Sequence, residues 1–90
     1  MIDLAGLPLD TRARVNVLTA ERQRRRRLGR VEFHLDADTL AATATARGSG
    51  ELLGSGFVAA VERIGGDAWQ LTMDDGALWT VLAGGCGCGG

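Results

Sequence analysis

The chain has no lysine and no tyrosine, a single proline, a single histidine and only four aromatic residues. Each shortage removes possibilities. Without lysine there is no Schiff-base chemistry and no P-loop. The lone histidine, His34, has no serine, cysteine or acid that spacing assigns to it, so a catalytic triad has no support. Phe33, Phe57, Trp69 and Trp79 are the only large rings, and much of the remaining apolar content is alanine, which buries little area per residue. Ninety residues therefore make one domain with a modest core, of a kind that leans on oligomerisation. No apolar run approaches the roughly 18 residues of a membrane span, and Met1-Ile2-Asp3-Leu4 lacks the basic, apolar start of a signal peptide. The expectation is a protein kept inside a cell, away from the membrane, non-enzymatic and without a cofactor.

What is present is arginine, unevenly placed. The formal net charge is −1, yet residues 1–30 hold eight arginines against three acids, net +5, while residues 31–90 hold two arginines against eight acids, net −6. The two parts are electrostatic complements, which suits head-to-tail contact between copies as well as an arm folded on its own body. An all-arginine basic complement is a plain trace of GC-rich coding, and guanidinium also forks onto carboxylate and phosphate.

Residues 1–18 show no sustained period and read as an extended arm. Thr19 to Gly29 permits a short basic helix, with Thr19 as cap, Glu21 in the first turn and Gly29 as stop. From Arg30 the period is two: Val31, Phe33 and Leu35 alternate with Glu32, His34 and Asp36. Thr39 to Ala46 repeats the alternation, Gly48-Ser49-Gly50 breaks it, and Phe57 to Ile64 reads as a further strand. Trp69 to Leu82 reads as a hairpin at Asp-Gly. A three-residue Asp74-Asp75-Gly76 loop gathers Trp69, Leu71, Met73, Trp79 and Val81 on one face, whereas a two-residue loop separates them. A Gly65-Gly66-Asp67 loop adds Val61 opposite Leu71 and Ala59 opposite Met73. The expected core is Phe33, Phe57, Val61, Trp69, Leu71, Trp79 and Val81. The expected fold is mainly β, a small antiparallel sandwich or SH3-like barrel, organised as a basic arm with a short helix (1–30), a β domain (31–83) and a glycine-cysteine tail (84–90).

The contact candidates are Arg12, Arg14, Arg22, Arg24, Arg25, Arg26, Arg27 and Arg30, facing either protein subunits or phosphate. Clustered positive charge suffices for phosphate contact, but aromatic residues for base stacking are missing nearby. Asp74 and Asp75 sit where aspartate before glycine is commonest, at a hairpin tip. Cys86 and Cys88 supply two thiolates where tetrahedral zinc takes four ligands, so a metal site forms only in an assembly.

The final Gly89-Gly90 resembles the end of ubiquitin-like sulfur carriers, a likeness of two residues. As a whole, the basic stretch from Leu4 to Arg30, the Ala/Gly/Thr-rich body from Val31 to Leu82, the all-arginine complement and the short glycine-cysteine end are similar to small virion proteins that tailed phages of GC-rich actinobacteria encode among their head and head-to-tail genes. That resemblance implies a structural protein of the virion, assembled in the host cytoplasm, which decorates the capsid or joins head to tail. Its partners are then copies of itself and other virion subunits, met through arm and tail.

Overall fold

The computed structural model describes residues 3–19 and 24–83. Six strands run in chain order: β1 (Asp10–Leu18), β2 (Arg25–Leu35), β3 (Ala41–Ala46), β4 (Leu52–Arg63), β5 (Ala68–Met73) and β6 (Leu78–Ala83). Each pairs antiparallel with the next, and β6 pairs back onto β1 to close a barrel. An up-and-down meander closes with antiparallel edges only when its strand number is even, and closure leaves no sheet edge along the paired lengths. The expectation of a small, mainly β barrel holds. No described helix is long and apolar enough to cross a membrane.

The interior obeys the period-two pattern. Val31, Phe33 and Leu35 of β2, Ala42 and Ala44 of β3, Trp69, Leu71 and Met73 of β5, and Trp79 and Val81 of β6 all point inward and are buried. No charged or polar residue is buried among the described residues. The β5–β6 register is the one the side chains favour: Leu71 faces Trp79, Trp69 faces Val81, and the Met73 amide donates to Ala77 O at 2.8 Å. Gly76, at φ +90°, takes the left-handed position of the turn, where a Cβ is disfavoured.

Three expectations are corrected. The N-terminal arm is not an arm: Ala13 and Val15 alternate with Arg12, Arg14 and Asn16, and this short period places β1 between β2 and β6 with Val15 fully buried. Ahead of it, Leu7 is buried and the Trp69 indole N–H donates to Ala5 O at 2.9 Å, so residues 4–7 pack on the core. Nor is there a basic helix over 24–29, where β2 begins. Thr19 does serve as a cap, though of a hairpin: its Oγ1 accepts from the Arg24 amide at 3.1 Å and its own amide donates to Arg24 O at 2.9 Å. The remainder of that expected helix, 20–23, lies outside the described residues.

The third correction concerns Phe57, which is 52% exposed. Register shifts on both sides of it explain this. At the β4–β5 shift Val58 takes the inner position opposite Met73, Ala59 is passed over, and Val61 returns to its place opposite Leu71, half-buried against the core. Phe57 is left on the outer face opposite Ala41. The inner positions before it are glycines. A Cβ on Gly56 would come within 2.9 Å of Met73 Cε, and one on Gly54 within 3.2 Å of Leu28 Cδ1.

A candidate docking face on β1 and β2

The arginine cluster is divided by a register shift. Along β2, Arg30 pairs with Arg14 and stands on the outer face; after the shift at Gly29 (φ +76°), Arg27 pairs with Asn16 and Arg25 with Leu18 on that same face. Arg26 pairs with Val17, and it points with Arg24 toward the barrel mouth. A period of two without the shift would have scattered these residues differently. The shift therefore brings Arg14, Arg25, Arg27 and Arg30 together outside.

A shallow groove of about 370 Å³ runs among Arg14, Asn16, Arg27, Gly29, Arg30 and Leu82. Its surroundings on β6 and β5 are uncharged: Leu78, Thr80, Leu82, Gln70 and Thr72 occupy the outward positions beside β1. Among the described residues one ion pair forms, Arg12 Nε to Glu32 Oε1 at 3.9 Å, and both side chains are largely exposed. Such a pair is weak in water, worth about 0 to 1 kcal/mol. It uses up Arg12 and the one carboxylate on the β2 half of this face. Arg14, Arg25, Arg27 and Arg30 have no carboxylate partner among the described residues.

The mouth is a second feature. A cleft of about 420 Å³ is lined by Val17, Leu28, Leu53 and Trp79 below, with Arg24, Arg26 and Asp75 at the rim. Gly54 lets β4 approach Leu28 and Trp79 closely across it.

Other charged side chains have structural work. Arg63 lies 5.9 Å over the Trp69 ring while its guanidinium donates to Gly65 O and Gly66 O, at 3.1 and 2.7 Å, closing the β4–β5 loop. Asp75 Oδ1 accepts from the Ala77 amide at 2.9 Å and so orders the hairpin tip. Asp36 does likewise for the β2–β3 turn, accepting from the amides of Asp38 at 2.8 Å and Thr39 at 3.3 Å. These donors favour its ionised form and hold its carboxyl below the ordinary aspartate range. His34 stands on the outer face of β2, between Asp10 and Thr43. No group of three or more histidines, cysteines or acids suited to a metal ion occurs among the described residues. Arg22, Cys86 and Cys88, with the rest of the 84–90 tail, lie outside the described residues.

The sequence marks the basic run without showing that its described arginines divide into an outer set and a mouth set. The one signal for that division is Gly29, interrupting the basic run. Comparison with protein-family models, with curated proteins and with solved structures gives no match.

Proposed function

We propose that this protein is a non-enzymatic assembly module whose β1–β2 arginine face docks on acidic protein surfaces, those of its own copies included. The observation that carries this reading is the cluster of four outward guanidiniums with no carboxylate partner among the described residues. Clustered like charge on a chain of net charge −1 costs self-repulsion, which a complementary partner relieves. The chain supplies such complements itself, since Asp36, Asp38, Glu51, Asp67, Asp74 and Asp75 all sit in the loops between β2 and β6. A heterologous contact between the basic face and acidic loops of the next copy builds rings or stacks, as a capsid decoration or a head-to-tail joint requires. The virion is the setting that the sequence resemblance supplies.

Light scattering at low and high salt tests this. The wild type associates at low salt and dissociates near 1 M, where the Debye length falls to about 3 Å. The triple variant Arg14→Gln, Arg27→Gln, Arg30→Gln stays monomeric at both. A wild type that is monomeric throughout contradicts the reading.

A second reading, phosphate contact, is favoured by the same arginines, because guanidinium forks onto phosphate equally well. Salt-dependent duplex binding that the triple variant abolishes would establish it in place of protein docking.

A further inference from the structure

The first half of β2 has an open side. β3 ends its ladder with Ala46 opposite Val31, and the chain turns back at once, the Ala46 amide donating to Glu51 O at 2.7 Å. On its other side β2 stays paired to β1 as far as Arg25. No described strand lies beside Arg25 to Arg30 on the β3 side.

Ladder bonds alternate in direction along an antiparallel strand. Leu35 donates to Leu9 O and Thr19 donates to Arg24 O, which fixes the alternation at both ends of the β1–β2 ladder, with the shift at Gly29 between them. Counting inward from these two points turns the amides and carbonyls of Arg25, Arg27 and Arg30 away from β1, toward the open side. The mouth cleft, floored by Leu28, Leu53 and Trp79, adjoins this edge.

An extended segment laid along the edge alternates its side chains between the cleft and the outer face. One set then meets an apolar floor, and the other meets Arg25, Arg27 and Arg30. A second copy of this chain is a poor occupant. Its own β2 edge brings arginine against arginine, and the part of β4 without a β5 partner, Leu52 to Gly56, carries no carboxylate. We propose that the Arg25–Arg30 edge binds an extended acidic segment of a different protein by strand addition, apolar side chains in the cleft and carboxylates among the outer arginines. This rests on reading the arginine face as a protein-docking surface, and it assigns the partner's chemistry and conformation.

The test uses the full chain, ¹⁵N-labelled, and a short capped peptide of alternating glutamate and valine. Two N-methylated forms accompany it, one modified on the glutamates and one on the valines. Strand addition engages one edge of the peptide, so one modified form loses affinity at least about tenfold while the other keeps it. The unmodified peptide slows amide exchange at Arg25 and Arg27 by a similar factor. Equal binding of all three peptides without that protection overturns strand addition while leaving acidic docking in place. No binding by any peptide overturns both. Preference for duplex DNA over the peptide, lost in Arg25→Gln, Arg27→Gln, moves the partner to nucleic acid and overturns the proposal as well.

Discussion

Phe57 and Val58 show how much one extra residue decides. Alternation assigns inner and outer faces by parity alone, and a bulge changes parity without any mark in the hydrophobic pattern. Phe57, the larger and more apolar residue, is the natural choice for the core, yet the inner position belongs to Val58 because the strand passes over Ala59. Asp36 offers a residue-scale prediction. Two backbone amides stabilise its carboxylate in the folded chain, so the unfolded chain binds a proton more readily there. Its contribution is present above the unfolded pKa and is lost as pH falls through the lowered folded pKa. Carboxyl NMR titration finds Asp36 protonating below the ordinary aspartate range, and Asp36→Asn flattens the acid limb of the stability curve. An Asp36 that titrates at the ordinary value contradicts this.

Among the elements, the β5–β6 hairpin is the most legible. Its loop length rests on local facts: two tryptophans, Leu71, Met73 and Val81 share a face only with three residues in the turn, and Gly76 supplies the left-handed conformation. Deleting Thr72 reverses the parity of β5 ahead of Met73 and turns Leu71 and Trp69 toward solvent, while Met73 stays opposite Ala77. The deletion variant is expected to lose cooperative unfolding and to red-shift its tryptophan emission, whereas native-like emission and a sharp transition would contradict the register argument. β1 is harder to read. Ala13, Val15 and Val17 alternate correctly, but the run is short, its inward residues are small, and the arginines between them suggest a solvated arm. Long-range pairing with β6, about sixty-five residues away in the chain, fixes it as a strand, and no local propensity encodes such a partner. Arg25, Arg26 and Arg27 favour a helix by propensity, and ladder pairing with β1 overrides that preference.

At the scale of the whole molecule, the chain is more self-sufficient than its composition suggests. With β1 counted, the strand number is six and the sheet closes around a core rich in alanine. Closure also changes the meaning of the charge asymmetry. The described part of the basic stretch does not reach out from the body; it forms one wall of it, and most of the acids lie in the loops between β2 and β6. Composition reveals the imbalance, and only the pairing of strands turns it into a surface with a direction. A net-acidic protein built this way should attract a polyanion at one place. Chemical-shift mapping with poly-L-glutamate at low salt tests this most directly. Shifts are expected to gather at Arg14, Arg25, Arg27 and Arg30 and to vanish in high salt. An unchanged spectrum, or shifts centred on the opposite wall around Thr43 and Phe57, would contradict the docking face.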